Sequence, residues 1–305
     1  MYLYHFGLTE LPFTLTPNTN FFLALEPHNE ALAVLMTALK TGEGFIKVIG
    51  EVGTGKTLLC RKLLNEMPEH FVTAYIPNPY LNPDELRRAV ALELGVKQAQ
   101  RMSTQLLTQR IQHRLMELHS QGHSVVLILD EAQALPAESL EALRLFTNLE
   151  TETRKLLQVV LFAQPELDQR LAQTEFRQLR QRITFSYQLR AMNSNEVQQY
   201  IQHRLQVAGY KGAALFSANI CRKITKVSKG IPRIVNVLCH KMLMLSYGQG
   251  HYQMTRKQLN AAIKDTESIT SNRSKVSAIT TLSASLLLIV LVYFVYSFYV
   301  SGVAL

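Results

Sequence analysis

An eight-residue stretch from Gly50 to Thr57, GEVGTGKT, has the residue types and spacing of a phosphate-binding loop. It follows the apolar run 45–49, which predicts a buried strand, and it precedes leucines at helical spacing over 58–64. Glycines let backbone N–H groups turn towards a polyphosphate, and the N-terminus of the following helix favours negative charge. We therefore expect Lys56 to reach the β- and γ-phosphates of ATP and the Thr57 hydroxyl to ligate Mg²⁺.

The alternative for this stretch is a glycine-rich turn that binds nothing. The complete motif between a strand and a helix favours a nucleotide instead. The residues predicted to hold the nucleotide are Gly50, Glu51, Val52, Gly53, Thr54, Gly55, Lys56, Thr57 and Leu58.

A pair of carboxylates, Asp130 and Glu131, follows the apolar strand 125–129. Many strands end in a solvated aspartate, so the pair alone is a weak signal, but its position after a phosphate-binding loop matches the Walker B pattern. We expect Asp130 to hold Mg²⁺ through water. We expect Glu131 to polarise the attacking water as general base.

A further apolar strand, 159–163, ends at Gln164. In additional-strand P-loop ATPases this position is sensor 1, which lies between the two Walker strands and reads the γ-phosphate. Asn or Thr is common there in related ATPases, so glutamine is a departure from the pattern.

Three arginines, Arg177, Arg180 and Arg182, precede the last predicted strand, 183–187. Such a cluster ordinarily forms a solvated basic face. In an oligomeric ATPase this location supplies the arginine finger that reaches the neighbouring subunit's site. Arg182 is the first candidate for that role, and Arg180 is the second.

Strands alternating with helices predict an α/β core over residues 45–190, with a parallel sheet covered by helices on both faces. Ligands gather at the carboxyl ends of such strands, where Lys56, Asp130 and Gln164 all fall. Residues 1–44 precede the core as an arm and a helix that starts after Pro27. Prolines favour extended or turn geometry over a helix at the start of the arm. The arm either packs on the core or covers the adenine base.

Residues 191–265 are helical in pattern and predict a four-helix lid. The third helix opens with Gly230-Ile231-Pro232-Arg233, where proline suits the first helical position. Arg233 is placed to fold back onto the nucleotide as sensor 2. The alternative is a surface arginine, although a cation there opposes the helix dipole.

The chain ends differently, because residues 276–305 contain no charged side chain. A helix needs about 20 apolar residues to cross a bilayer. We expect a Ser/Thr-rich polar linker over 266–277 and a transmembrane helix over 278–303; a buried core helix is the alternative. Basic residues precede this segment and no charge follows it, so the positive-inside rule places the part before it in the cytoplasm.

Composition narrows the setting further. The 305 residues suffice for a two-part soluble core with an appendage. The formal net charge of +9 permits nucleic acid or anionic lipid as a partner. Three cysteines without metal or redox spacing suit reduced cytosolic thiols. The N-terminus lacks the basic region and apolar core of a signal peptide.

The motif set resembles the AAA+ ATPases of the ExeA/GspA type over nearly all of residues 1–265. The motifs that carry the resemblance are GEVGTGKT at 50–57, DEAQ at 130–133, QPEL at 164–167, QRI at 181–183 and GIPRIVN at 230–236. ExeA-type proteins continue beyond their transmembrane segment into a periplasmic peptidoglycan-binding region. This chain stops after the expected membrane helix. Its shorter architecture is similar to the ATPases of mannose-sensitive haemagglutinin type IV pilus biogenesis.

The resemblance implies a single-pass protein of the bacterial inner membrane with its ATPase part in the cytoplasm. It implies Mg²⁺-dependent ATP hydrolysis that assists assembly of a type IV pilus or secretion complex. Its partners are then copies of itself, as in a ring, other membrane components of the assembly, and lipid around the C-terminal helix. A different class of function is a nucleotide-switched DNA-binding ATPase of the transposition or replication-initiator type, against which the membrane helix argues. A scaffold that binds ATP without hydrolysis is a third, against which Glu131 argues.

Overall fold

The centre of the fold is a five-stranded parallel sheet. The computed structural model describes residues 2–146 and 155–266. The strands are β1 Phe45–Gly50, β2 Phe71–Ile76, β3 Ser124–Leu129, β4 Gln158–Ala163 and β5 Ile183–Leu189. They lie in the order β2-β3-β4-β1-β5, with every neighbouring pair parallel. This order confirms the expected α/β core and places β4 between the two Walker strands, β1 and β3.

Helices cover both faces of the sheet and continue beyond it. They are α1 Tyr2–Phe6, α2 Glu26–Lys40, α3 Lys56–Glu66, α4 Pro83–Glu93, α5 Thr104–Ser120, α6 Ala137–Phe146, α7 Glu166–Leu171, α8 Arg177–Arg182, α9 Ser194–Val207, α10 Ala218–Ser228, α11 Pro232–Gly248 and α12 Arg256–Lys264. Side chains of β1 alternate between the faces: Phe45 and Ile49 pack in the core beside α4, α5 and α6, while Ile46 and Val48 pack beside α2 and α3.

The helix starts follow the sequence closely where a capping residue specifies them. Asn82 and Asn193 each accept two backbone N–H groups, and Glu85 and Glu196 return the hydrogen bond to the cap residue. These reciprocal bonds satisfy N–H groups that the first turn of a helix leaves unpaired. The second of these caps starts α9, the first helix of the expected lid, which comprises α9 to α12.

The start of the N-terminal arm differs from the expectation. Residues 2–6 form α1, a short helix, where extended or turn geometry was predicted. Tyr2, Phe6, Phe13 and Phe21 are buried in the same apolar cluster as the lid helices. The prediction was wrong because prolines restrict only the backbone near them. Tertiary burial of these aromatic rings stabilises the short helix.

Two predictions concern the end of the chain. The polar linker over 266–277 lies outside the described residues except for its first position, and the transmembrane helix over 278–303 lies wholly outside them. Among the described residues, no helix combines the length and apolar character that a membrane span requires.

Candidate active site

The phosphate-binding loop joins β1 to α3 at the carboxyl edge of the sheet. Gly53 and Gly55 have φ values of 82° and 102°, in the left-handed region that side chains rarely adopt. A Cβ atom on Gly53 would lie 2.5 Å from the Cβ of Arg233. The loop therefore requires glycine both for its backbone shape and for its contact with the lid.

Lys56 is the first residue of α3 and points back into the loop. Its Nζ donates to the carbonyl oxygens of Gly50 at 2.8 Å and Glu51 at 3.1 Å. The side chain is buried, and burial lowers the pKa of Lys56, an effect opposed by the carboxylates of Glu131 and Asp130. The ammonium group thus lies inside the loop, beside the acids of the second motif.

Thr57 and Asp130 meet directly across the loop. The Thr57 hydroxyl donates to the Asp130 carboxylate, which also accepts the Glu131 backbone N–H at 2.9 Å. Burial raises the pKa of Asp130, and these two hydrogen bonds oppose that rise. A hydroxyl and a carboxylate are the oxygen donors that Mg²⁺ takes from protein, with water completing its shell. The pair fits Mg²⁺; within residues 2–146 and 155–266 no cluster of three or more His, Cys, Asp or Glu side chains suggests another metal.

Glu131 is held by two glutamines. Its Oε2 accepts the side-chain amide of Gln133 at 2.6 Å and that of Gln164 at 2.8 Å. The backbone N–H of Gln164 donates to Oε1 of Gln133 at 3.0 Å, which closes the group. Glu131 itself has φ 53°, an uncommon value for a residue with a side chain. This geometry aims the carboxylate along the edge of the sheet towards the nucleotide cleft, which it helps to line.

The lid closes over this edge through the start of α11. The backbone N–H of Arg233 donates to the Gly53 carbonyl oxygen at 3.2 Å, and the Arg233 side chain lines the cleft. The cleft has a volume of about 200 Å³ and is bounded by the phosphate-binding loop, the lid and the arm. Arg233 thus lies at the cleft, and its role as sensor 2 stays a prediction.

The arm forms the remaining wall of the cleft, with residues 14–18. It is fixed by the lid: Arg204 donates to the Pro12 carbonyl oxygen and to the Tyr200 hydroxyl at 3.0 Å. Asn236 accepts the Tyr200 hydroxyl at 3.0 Å and donates to the Thr14 carbonyl oxygen at 3.2 Å. The arm packs against the lid and lines the cleft, and its contact with adenine stays a prediction.

The arginine cluster lies away from this cleft. In the register of the sheet, Ile183 at the start of β5 pairs with Phe45 at the start of β1. Arg177, Arg180 and Arg182 precede Ile183, so they lie at the amino edge of the sheet, opposite the phosphate-binding loop. Any contribution of Arg182 or Arg180 to nucleotide chemistry must therefore be made to another subunit, and their roles stay predictions.

Four residues of the cleft or its support escaped the sequence analysis as site residues: Gln133, Tyr200, Arg204 and Asn236. Gln133 stands two residues after the general base, a spacing that gives no signal alone. Tyr200 and Arg204 are four residues apart on α9. This spacing predicts that they share one face of the helix, but not which segment that face contacts. The partner of Arg204 in the arm, Pro12, lies 192 residues away in sequence.

Comparison with known proteins agrees with this geometry. Residues 39–171 match the AAA domain family. The chain is 39% identical over 269 residues to General secretion pathway protein A of Aeromonas hydrophila. That match covers 88% of this chain and 49% of the relative, so the chain spans about half of the relative's length.

Solved structures share the fold at low sequence identity. Cdc6p from Pyrobaculum aerophilum has a TM-score of 0.61 at 16% identity, covering 82% of this chain and 71% of that protein. The Drosophila ORC bound to DNA has a TM-score of 0.62 at 18% identity, covering 84% of this chain and 64% of that one. Identities this low show a common fold and nothing about partners.

Proposed function

We propose that this chain, an ATPase of the AAA family by its domain over residues 39–171, is a membrane-anchored motor that assists assembly of a secretion or type IV pilus complex. Its relation to General secretion pathway protein A supports the secretion setting. The finer proposal is a role like that of the ATPase MshM in mannose-sensitive haemagglutinin pilus biogenesis. The uncharged run 276–305 supports the anchor, with the ATPase part in the bacterial cytoplasm.

The observation that carries ATP hydrolysis is the meeting of Lys56, the Thr57–Asp130 pair and Glu131 at one edge of the sheet. Lys56 exchanges its two carbonyl partners for oxygens of the β- and γ-phosphates. Thr57 and Asp130 would hold Mg²⁺, which would supply positive charge to the phosphates. Backbone N–H groups of the loop and the start of α3 orient the polyphosphate.

Hydrolysis then depends on the position of one carboxylate. Glu131 accepts a proton from a water molecule as that water attacks the γ-phosphorus atom, and ADP departs. Gln164 holds the carboxylate from the neighbouring strand, while Arg233 adds positive charge from the lid. Negative charge develops on the γ-phosphoryl oxygens in the transition state. Arg182 of an adjacent copy in a homo-oligomer stabilises this charge, and Arg180 is the second candidate for that role.

The lid converts this chemistry into movement. The backbone N–H of Arg233 donates to the phosphate-binding loop, and its side chain lines the cleft. Loss of the γ-phosphate changes the charge that Arg233 faces, so lid and core shift relative to one another. Membrane components of the assembly receive that shift as work.

A second candidate function is DNA binding by a nucleotide-switched ATPase. The observation that favours it is the absence of acidic side chains from residues 197–264, most of the lid. The uncharged run at 276–305 favours the membrane role, because an ATPase acting on DNA has no need of an anchor.

Replacement of the chromosomal gene by one that encodes Lys56→Ala tests the assembly role. We expect cells with this variant to retain the protein in their membranes but to lose surface pili or a secreted protein. A matched replacement of an exposed lysine of the ATPase core, Lys97→Ala, should leave assembly unchanged. Normal pili and normal secretion in the Lys56→Ala strain would refute the assembly role. Recovery of the chain only in the soluble fraction would refute the anchor.

A further inference from the structure

The charge of the chain is concentrated in the lid. Residues 197–264 contain 11 of the 32 lysines and arginines and none of the 23 aspartates and glutamates. The remaining residues hold 21 basic and 23 acidic side chains, so the rest of the chain is slightly acidic. The net charge of +9 is therefore a property of α9 to α12 and not of the ATPase core.

The internal structure uses only a few of these cations. Arg204 is buried against the arm, Arg233 contacts the phosphate-binding loop, and Lys241 pairs with the Asp265 carboxylate at 2.8 Å. The exposed cations of the lid other than Arg233 are Lys211, Arg222, Lys226, Lys229, Arg256, Lys257 and Lys264. Within the described part of the chain, none of these seven forms an ion pair with a carboxylate.

The exposed cations are arranged along helices that touch each other. Arg222, Lys226 and Lys229 follow an i, i+4, i+7 spacing from α10 into its C-cap, so they share one face. Lys257 and Lys264 have the same i, i+7 relation on α12, which packs against α10 and α11. Such a field of one sign raises the free energy of the isolated molecule and attracts a polyanionic surface. We call these two helix faces the basic lid surface.

The lid also carries exposed aromatic side chains. Tyr252, in the loop before α12, is 62% exposed, and its neighbour Tyr247 at the end of α11 is 44% exposed. Tyr252 stacks on His5 of α1 with ring centroids 4.3 Å apart and 11° between the planes. Tyrosine rings with an apolar body and a polar tip concentrate at the headgroup level of bilayers.

The chain brings the basic lid surface close to the proposed anchor. Only nine residues, 267–275, separate the last described residue from the uncharged run that starts at Val276. Nine residues span at most about 30 Å when fully extended. The lid therefore lies within one domain diameter of the bilayer wherever the proposed anchor is inserted. This step rests on the proposed membrane anchor.

We propose that the basic lid surface docks on anionic phospholipid headgroups of the membrane. The docked lid holds the ATPase in a fixed orientation relative to the bilayer. Membranes rich in phosphatidylglycerol then bind the surface, and neutral membranes do not. Nearby phosphates attract cations only within about 8 Å at physiological ionic strength, so the docking is sensitive to salt.

Lysine acetylation of the full chain in lipid nanodiscs tests this contact. One set of discs contains phosphatidylcholine alone, and the other adds phosphatidylglycerol, an anionic lipid that gives the disc a negative surface potential. We expect acetylation of Lys226, Lys229 and Lys257 to slow at least threefold in the anionic discs, about the factor expected from local headgroup charge. Two exposed lysines outside the lid, Lys40 at the end of α2 and Lys97 in the ATPase core, serve as internal controls and should react equally in both discs.

Charge-reversal variants provide a second test of the docking. We expect Lys226→Glu with Lys229→Glu to abolish the protection of Lys257, while Lys40→Glu with Lys97→Glu leaves it intact. Equal acetylation of the lid lysines in both discs would overturn the proposal. Stronger protection by duplex DNA than by phosphatidylglycerol, at matched phosphate concentration, would also overturn it and assign the surface to nucleic acid.

The same preparation separates this proposal from the anchor. A chain that inserts into both kinds of disc but shows no lipid-dependent protection retains the anchor and refutes the docking. A chain that associates with anionic discs but not with neutral ones supports the docking and refutes the anchor. A chain that associates with neither refutes both.

Discussion

Gln133 provides a direct test of how the general base is positioned. Replacement by alanine removes the donor to Glu131 at 2.6 Å and the acceptor of the Gln164 backbone N–H at 3.0 Å. A hydrogen bond to a charged group contributes about 1.5–3 kcal/mol and a neutral one about 1 kcal/mol. Because Gln133 is half-exposed and water replaces part of these bonds, we expect a net loss of about 1–2 kcal/mol.

The same loss should appear in catalysis but not in nucleotide binding. Gln133 does not line the cleft, whereas Glu131 does, so the KM for ATP should stay unchanged. A loss of about 1.4 kcal/mol in the transition state lowers kcat about tenfold. Steady-state ATP turnover over a range of ATP concentrations separates the two parameters. Gln199→Ala, at an exposed site on α9, is the matched control and should have wild-type kinetics.

Gln133→Glu separates positioning from folding. It keeps an oxygen acceptor for the Gln164 N–H but replaces the donor to Glu131 by a second carboxylate. We expect this variant to lose more activity than Gln133→Ala while retaining more of its thermal stability. A wild-type kcat in Gln133→Ala, or a fall in kcat that disappears when turnover is corrected for the folded fraction, would refute the positioning role.

Three further predictions concern the arm, the neighbouring subunit and pH. Arg204→Met should leave the Pro12 carbonyl and the Tyr200 hydroxyl without their donor and release the arm, which faster proteolysis of residues 1–25 would reveal. We expect a stability loss of about 3 kcal/mol, because a hydrogen bond to a charged group contributes about 1.5–3 kcal/mol. An unchanged digestion pattern would contradict the prediction. Mixed oligomers of Arg182→Ala and Lys56→Ala subunits should recover ATP turnover at mixed interfaces, and no recovery from a chain that stays monomeric at all concentrations would exclude action in trans. Burial lowers the pKa of His28, His203 and His240 below 6.5. The unfolded chain therefore binds more protons than the folded chain in mild acid, and the free energy of unfolding should fall as pH drops below about 6.5. Denaturant midpoints at pH 7.5 and 5.5 measure this effect, and equal midpoints would refute it.

Local pattern in the sequence was enough to predict most of the core. Strands such as 125–129 are fully apolar and end in acids, and helices such as α4 and α9 begin at asparagine caps. The strand–loop–helix context of Gly50 to Thr57 predicted the nucleotide site because its signal is contained in eight consecutive residues. Parallel order then followed from the alternation of strands and helices.

Local sequence pattern could not predict contacts between residues that are distant in the sequence. The helix at Tyr2–Phe6 depends on the apolar cluster of the lid, and the arm is fixed by Arg204 across about 190 residues of sequence. The pairing of Gln133 with Glu131 depends on the left-handed backbone conformation of Glu131. The residue types around Glu131 do not predict that conformation. Arg182 is a different case, because its proposed partner belongs to another subunit.

The central claim is that this site hydrolyses ATP with Glu131 as general base. ATP turnover by Glu131→Gln, measured at an ATP concentration shown to saturate the variant, tests it most directly. Glutamine preserves the size of the side chain but accepts no proton from water, so turnover should fall at least about 100-fold while ATP remains bound. Lys56→Ala serves as the reference that binds no nucleotide. Turnover by Glu131→Gln at the wild-type rate would contradict the account.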